Sequence, residues 1–221
     1  MAILLAVETS GPFCSLAIHV DGRWIEDTQK VERLHNQVVL GSLEALVRRA
    51  GVDRRSFTTV AFGAGPGSFT GVRIAAAVAQ GVAYACGAGV VPVASSRALA
   101  AQAQRDGRCV AGELLTLTRS RRDAYYLAGY LLHAEHAPVP WLADALHQGR
   151  HPPENLPPAV GVGDRPDWWP EDQLFVHDVA VRAETVGRIA LEQLQRGEDV
   201  PAAAAHPRYV SGDSPWRPMS S

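Results

Sequence analysis

The chain has 221 residues, of which 47% are hydrophobic and 20% are charged, and its net charge is −2. These values predict a core large enough for one domain or two small ones, and they exclude wholesale disorder. The pI near 6.4 argues against a globally basic nucleic-acid-binding protein. One local basic cluster, RSRR (119–122), is interpreted first as a solvated turn, with a nucleic-acid contact as the alternative.

The cysteines and the first residues indicate the cellular compartment in which the protein is expected. Cys14, Cys86 and Cys109 are widely spaced and form no CxxC pair, which indicates neither a disulfide framework nor a zinc knuckle. The apolar start is interrupted at once by Glu8-Thr9-Ser10 and lacks a basic region, so it does not resemble a signal peptide. No run reaches the ~18 apolar residues of a membrane span. We therefore expect a cytoplasmic protein without a membrane segment.

Over the first hundred residues, periodicity predicts the order β-β-β-α-β-α-β-α. Strands are predicted at 3–7, 14–20, 23–29, 57–65 and 90–95, and Asp21-Gly22 is predicted to form a hairpin turn between the second and third. Helices are predicted at 34–51, 69–86 and 95–104, the last opened by a serine cap. This alternation is typical of an α/β sheet of parallel strands with an antiparallel hairpin at one edge.

The second half shows a weaker version of the same alternation. Strands are predicted at 109–118, 123–132 and 159–164, a helix at 179–197 and a short closing element at 206–210. The proline-rich stretch 137–158 is predicted to be irregular, and the tail 211–221 to be disordered. The simplest organisation is two α/β lobes, 1–104 and 105–210.

The glycine corner GAGPGSFTG (63–71) lies between a predicted strand and a helix of small residues. A Walker loop fails because the lysine is missing, a dinucleotide fingerprint fails at Ser68, and the spacing of GxSxG is absent. Ser68 or Thr70 can cap the helix that follows. Two interpretations stay open: a tight corner that feeds a closely packed helix, and an anion site formed by backbone N–H groups.

Histidines and one polar turn are the other candidates for chemistry. His147 and His151 have HxxxH spacing, but Gly149 and the following prolines argue against a helix, so a metal site is not favoured. His133 and His136 are interpreted as surface residues. Glu8-Thr9-Ser10 is either a plain hairpin turn or a turn that faces a phosphate.

Four stretches together resemble one family. They are ILLAVETS at the start, His35 at the first helix, GPGSFTG in the glycine corner, and PVASSRALA (92–100). With them the chain resembles the TsaB (YeaZ) family, the bacterial dimerisation subunit of the machinery that makes N6-threonylcarbamoyladenosine (t6A) at position 37 of tRNA. The resemblance is dense over residues 1–100 and continues beyond them in VGVGD (160–164) and Pro207-Arg208-Tyr209. It implies an ASKHA (actin-like, RNase H-like) α/β fold with two lobes and mixed sheets.

The resemblance also implies a subunit that is not itself an enzyme. The related enzyme TsaD carries metal-binding histidines in an HxxxH pattern on a helix soon after the glycine corner, where this chain has SSRALAAQAQ. The implied partners are TsaD in a heterodimer and the ATPase TsaE, with a homodimer when the chain is alone. tRNA is reached only through the complex, which forms t6A at A37 of tRNAs that read codons beginning with A. No cofactor of its own is implied, with ATP or ADP at the complex junction as the candidate. The alternative is a stand-alone ATP-binding or metallohydrolase (glycoprotease-like) enzyme of the same fold.

The implied interface uses the first helix and the small-residue helix, packed against the same helices of TsaD or of a second copy. Its residues are Leu34, His35, Val38, Leu43, Phe69, Val72, Arg73, Ala76, Ala79, Gln80 and Ala83. Candidate nucleotide or anion contacts are Thr9, Ser10, Gly65, Gly67 and Ser68, and no catalytic or metal residue is implied. The chain departs from the family pattern at Glu8, where most relatives have Asp, and at Thr118-Arg119-Ser120, which leads to Asp123 and Tyr125 in place of an Asp-Ala-Arg-type segment.

Overall fold

A computed structural model describes residues 2–31, 34–134, 136–154 and 156–210. The predicted tail 211–221 lies outside the described residues. The strands are β1 (Leu4–Glu8), β2 (Phe13–Val20), β3 (Arg23–Lys30), β4 (Thr59–Gly63), β5 (Gly89–Val93), β6 (Gly112–Arg121), β7 (Ala124–His133), β8 (His136–Gln148), β9 (Val160–Gly163) and β10 (Phe175–Val176). The helices are α1 (His35–Ala50), α2 (Phe69–Cys86), α3 (Ser95–Arg105), α4 (Ala183–Gln195) and a short 3-10 helix, Ala202–Ala204.

The first sheet, sheet A, has the strand order β3-β2-β1-β4-β5. β1 pairs antiparallel with β2 and parallel with β4, so the hairpin lies at one edge, as predicted. Asp21 and Gly22 both adopt positive φ, at 51° and 73°, which is the backbone that a two-residue hairpin turn requires. All five residues of β1 and of β4 are buried, since helices cover both faces of this sheet.

Helices from both halves of the chain cover sheet A. α1 and α2 pack on one face, where Leu46 and Ala79 join Leu5 and Phe62 in the core. α4 packs on the other face through Ala183, Val186 and Ile189. The predicted boundary between residues 104 and 105 falls at the end of α3. α4 follows that boundary in sequence, yet it belongs to the core of sheet A.

The second sheet, sheet B, has the order β10-β9-β6-β7-β8. α3 covers one face, where Leu99, Ala100 and Ala103 pack with Leu114 and Tyr130. The other face is covered by the segment between β9 and β10, whose Trp169 is buried against the side chains of β6 and β7. Two mixed sheets with helices confirm the predicted α/β fold of the ASKHA type.

Several predicted boundaries were wrong in the second half. Residues 137–148 were expected to be irregular and instead belong to β8. Pro138 and Pro140 are tolerated there because β8 is an edge strand, whose outer N–H groups need no partner, and its register with β7 shifts three times. α4 is shorter than the predicted 179–197, β6 begins three residues later than predicted, and β10 was missed.

The helix caps were predicted with mixed success. Ser68 is the N-cap of α2 and its Oγ accepts from Gly71 N at 3.3 Å, which confirms the cap. The serine cap of α3 was wrong, because the N-cap is Ala94 and no side chain caps that helix. Ser95 is used instead to bind the glycine corner. The closing stretch 206–210 forms no helix or strand, although Arg208 N donates to Ala64 O at 2.7 Å.

Candidate protein-binding groove and glycine corner

An open apolar groove of about 840 Å³ lies between α1 and α2. Its walls are the outward faces of the two helices, with Leu40, Leu43, Ala77, Gly81, Ala85 and Cys86 among the lining residues. Leu40 is 65% exposed in the groove, and Tyr84 on α2 is 86% exposed. A contiguous apolar surface of this kind is typical of a site that a partner protein covers.

α2 is also the one helix among the described residues that is long and apolar enough to cross a membrane by length and composition, with a mean hydropathy of 1.2. The prediction that no segment reaches this limit was therefore too strict. Ala75, Ala79 and Ala83 of α2 are buried against sheet A. A core helix passes the same test, and a second side of α2, with Ile74 and Val82, lines the groove.

The eleven predicted interface residues fall into three groups. Exposed are Leu34 and Phe69; half-buried are Val38, Leu43, Arg73 and Gln80; buried are His35, Val72, Ala76, Ala79 and Ala83. The buried alanines let α2 approach its own sheet closely. Gln80 is likewise used within the chain, where its Nε2 donates to Ala205 O at 2.8 Å.

The small residues that do face the groove were missed from the sequence. Ala77, Gly81 and Ala85 recur every four residues along α2, all three are exposed, and all three line the groove. Residues four apart lie on one helix face, so this spacing was the signal that could have found them. Two stripes of small residues run along α2, and only the contacts of the fold separate the core stripe from the groove stripe.

The glycine corner closes on the turn between β1 and β2. Thr9 Oγ1 donates to Gly71 O at 2.7 Å, and Ser68 N donates to Ser10 O at 2.8 Å. A Cβ on Gly67 would lie 2.8 Å from Ser10 Cβ, and one on Gly71 would overlap Thr9 O. The glycines at 67 and 71 therefore let two backbones touch, which favours the interpretation as a tight corner.

Of the candidate anion contacts, Gly65 is also engaged within the chain. It has a positive φ of 96°, its N–H donates to Ser95 Oγ at 3.0 Å, and its carbonyl accepts from Ser95 N at 2.9 Å. The first of these bonds occupies the Gly65 N–H, which is the group that would have to donate to an anion.

A second cavity of about 630 Å³ lies in the cleft between the two sheets. Glu8, Ser10, Lys30, Arg119, Asp164 and His177 are among its lining residues. One carboxyl oxygen of Glu8 accepts from Ser10 N at 2.5 Å, while the other has no partner among the described residues. Glu8 is 2% exposed, and burial raises the pKa of its carboxyl above the usual value.

The histidines do not form a metal site in the described part of the chain. His147 lies in β8, and its Nε2 is 2.8 Å from the backbone oxygen of His151, so the pair shares no helix face. His133 and His136 are exposed, as predicted. Across the described ranges, no three His, Cys, Asp or Glu side chains are grouped so as to hold a metal ion. His35 is buried, and its Nε2 lies 3.2 Å from Phe13 O.

The fold is shared by solved structures. The structure of YeaZ from Pseudomonas aeruginosa matches with a TM-score of 0.83 and 30% sequence identity, over 95% of this chain and 100% of that one. The chain belongs to the TsaB (YeaZ) family. A second Pseudomonas aeruginosa structure, of an uncharacterised protein similar to peptidase YeaZ, matches with a TM-score of 0.84, also at 30% identity, over 95% of this chain and 100% of that chain.

Curated relatives agree with this TsaB assignment. The threonylcarbamoyladenosine biosynthesis protein TsaB of Escherichia coli is 27% identical over 227 residues, which cover 98% of this chain and 97% of the relative. TsaB of Haemophilus influenzae is 35% identical over 97 residues, or 44% of this chain and 41% of that protein. The family described as TsaD, tRNA N6-adenosine threonylcarbamoyltransferase, matches residues 28–138. That match includes α1 and α2, the two helices of the TsaB groove.

Proposed function

We propose that the chain is a non-catalytic subunit of the machinery that forms threonylcarbamoyladenosine in tRNA, and that it binds TsaD through the α1–α2 groove. The observation on which this depends is the groove itself, in which Leu40 is exposed opposite a stripe of small residues on α2. Covering an apolar surface of this kind is the main source of free energy in protein association. The curated relatives are named for biosynthesis of the same modified nucleoside.

The choice of TsaD as the partner is supported by shared helices. The family described as TsaD matches the segment of this chain that contains α1 and α2, so a TsaD chain offers a counterpart of the same two helices. Ala77, Gly81 and Ala85 present little side chain, and a facing helix can approach closely across them. A second copy offers the same surface, which favours a homodimer when the chain is alone.

A role as a partner rather than an enzyme is supported by α3 and the glycine corner, the two places where a metal or an anion could have bound. α3 lacks histidine, and the glycine corner bonds to its own chain at Gly65, Ser68 and Gly71. In the proposal, TsaE joins the pair in the cytoplasm, and tRNA reaches this chain only within the complex. The product is t6A at A37 of tRNAs that read codons beginning with A. ATP or ADP, where it takes part, lies at the junction with TsaD.

Co-purification with TsaD tests the interface through two alanines. Ala77 lines the groove and is exposed, so Ala77→Arg places a cation there without entering the core. Ala45 is exposed on α1 outside the groove lining, and Ala45→Arg is the matched control. We expect Ala77→Arg to weaken TsaD binding at least about tenfold, the loss typical of a central interface position, and Ala45→Arg to leave it unchanged. Equal binding by both variants would show that the groove is not the TsaD site.

The proposed role in tRNA modification has its own readout. In cells depleted of the native subunit, t6A in total tRNA is measured by mass spectrometry of nucleosides after expression of each variant. Wild type and Ala45→Arg should restore t6A, and Ala77→Arg should not. The stand-alone enzyme alternative predicts the opposite: ATP turnover by the isolated chain and restoration of function by Ala77→Arg.

A further inference from the structure

One end of sheet B gathers arginines and aromatic rings in a pocket of about 400 Å³. Three separate segments form it: the β6–β7 turn with Arg122, the end of β8 with Arg150, and the segment after β9 with Trp168. We call this the arginine–aromatic pocket, and its lining also includes Arg119, Asp123, Tyr125 and Asp167. It lies apart from the α1–α2 groove, and no residue lines both.

The arginines of this pocket are exposed and only loosely paired. The side chains of Arg122 and Arg150 are 89% and 72% exposed, and both pair with the single carboxylate of Asp123, at 3.9 Å and 3.2 Å. The backbone of Asp123 is bonded to the end of β8, because its carbonyl oxygen accepts from Gly149 N at 2.9 Å. Each guanidinium has five N–H donors, so one shared carboxylate leaves donors free for an anion. Arginine is suited to phosphate because those donors form a planar fork.

Aromatic rings line the same pocket. Trp168 is half-buried, and its ring packs edge-on against Tyr125 at 6.3 Å and against His147 at 5.3 Å. The indole N–H of Trp168 has no acceptor among the described residues. Trp168 also packs against the apolar cluster that contains Leu127, so its ring is held in place at the pocket. Arg119 lies 5.4 Å from the Tyr125 ring centre, so cation and ring already stack at this site.

We infer that the arginine–aromatic pocket is a contact site for RNA, with Arg122 and Arg150 on backbone phosphates and the Trp168 ring beside an unstacked base. Single-stranded and looped RNA is recognised by this combination of cations and stacking rings. Asp123 and Asp167 in the lining are acceptors suited to a base amino group. The overall charge of −2 fits a local contact that adds to a larger complex. The inference rests on the proposed function in one respect, since that function supplies tRNA as the RNA.

Fluorescence anisotropy with an unmodified tRNA transcript tests this on the complex with TsaD. The test variant is Arg122→Glu/Arg150→Glu. The control is Arg23→Glu/Arg196→Glu, which makes the same charge change at exposed positions outside the pocket. At ~0.1 M salt we expect the test variant to lose about tenfold or more in affinity, with the slope of log affinity against log salt reduced by about two. The control should stay within about twofold of wild type, and equal affinities for both variants would overturn the inference.

Two further outcomes separate the hypotheses. If the wild-type chain fails to bind TsaD, the proposed function is wrong. The RNA inference is then tested by titrating tRNA onto the isolated chain and comparing the affinities of the test and control variants. An acidic protein segment would also bind to exposed arginines, so polyglutamate is added as a competitor. The Trp168→Leu variant is titrated with tRNA as well, after a melting curve has shown that it is folded. Loss of tRNA affinity in folded Trp168→Leu supports RNA. Undiminished affinity together with displacement by polyglutamate would assign the pocket to an acidic peptide instead.

Discussion

Gly65 and Ser95 are joined by two hydrogen bonds in opposite directions. Gly65 N donates to Ser95 Oγ at 3.0 Å, and Ser95 N donates to Gly65 O at 2.9 Å. The pair connects the corner before α2 to the first residue of α3, although thirty positions separate them in the chain. Both residues are buried, so neither backbone group of Gly65 has water as an alternative partner.

Ser95→Ala should therefore lower the free energy of unfolding by about 1–3 kcal/mol, because it leaves the Gly65 N–H buried without an acceptor. Urea unfolding followed by circular dichroism measures the change. Thr70→Ala, at an exposed position of the same corner, is the control and should change stability by less than about 0.5 kcal/mol. A Ser95→Ala variant as stable as the control would mean that the side-chain bond to Gly65 contributes nothing.

Gly71→Ala should be far more damaging than Gly41→Ala. A Cβ on Gly71 would overlap the Thr9 carbonyl oxygen, and backbone cannot move aside as a side chain can, so we expect a loss of about 3 kcal/mol or more. Gly41 lies in the exposed part of α1 with nothing within 4 Å of a built Cβ, so Gly41→Ala should stabilise by about 0.5–1 kcal/mol. Thermal melts of the two variants give opposite shifts. Shifts of the same sign would contradict the close approach at Thr9.

Glu8 should make the protein less stable as pH rises above about 4.5. Below that value the carboxyl is protonated in both folded and unfolded chains; above it, the unfolded chain releases the proton while burial keeps the folded pKa raised. Stability then falls until the pH passes the raised pKa. Glu8→Gln removes this ionisation, so its advantage over wild type should grow by at most about 1.4 kcal/mol per pH unit.

Urea unfolding between pH 4.5 and 8 measures that advantage. Glu113→Gln, at an exposed position of β6, is the matched control and should follow the wild-type curve. Parallel curves for wild type and Glu8→Gln would show that Glu8 is ionised in the folded chain across this range.

Cysteine labelling provides a readout of the groove. Burial, with a smaller contribution from Asp27, raises the pKa of the Cys14 thiol to about 11, and burial also raises that of Cys109. Cys86 is half-buried and lines the groove. Alkylation of the native chain near pH 8 should therefore modify Cys86 first, with Cys14 and Cys109 reacting only on unfolding. Bound TsaD should protect Cys86, and an unchanged labelling rate in the complex would contradict the proposed interface.

The sequence predicted the elements of sheet A well because their signals are local. Alternating and continuous apolar runs, Asp21-Gly22 and the terminal Gly51 specify strands, a hairpin and a helix end within a few residues. Beyond α3 the deciding contacts are distant in sequence. Pro138 and Pro140 argue against a strand unless the strand is known to lie at an edge, and only the assembled sheet reveals that.

The residues that line the groove also could not be predicted from local sequence signals. Ala79 and Ala77 are two positions apart on one helix and are the same residue type, yet the first is buried and the second is exposed in the groove. Composition predicts that small residues allow a close approach, but not which neighbour approaches. For Glu8, likewise, the sequence identified an unusual residue in a turn, while its burial and unpaired oxygen depend on Gly63 and Ser10 packed around it.

α4 crosses from the second half of the chain to the core of sheet A, whereas α3, from the first half, packs on sheet B. A cut between α3 and β6 would thus give two fragments, each of which lacks a helix that covers its own sheet. Neither fragment should fold alone, but each contains the helix that the other lacks. Expressed together as separate polypeptides, the two pieces should therefore reassemble, so the stretch from 106 to 111 offers a position at which this subunit can be split into a conditional, two-part version.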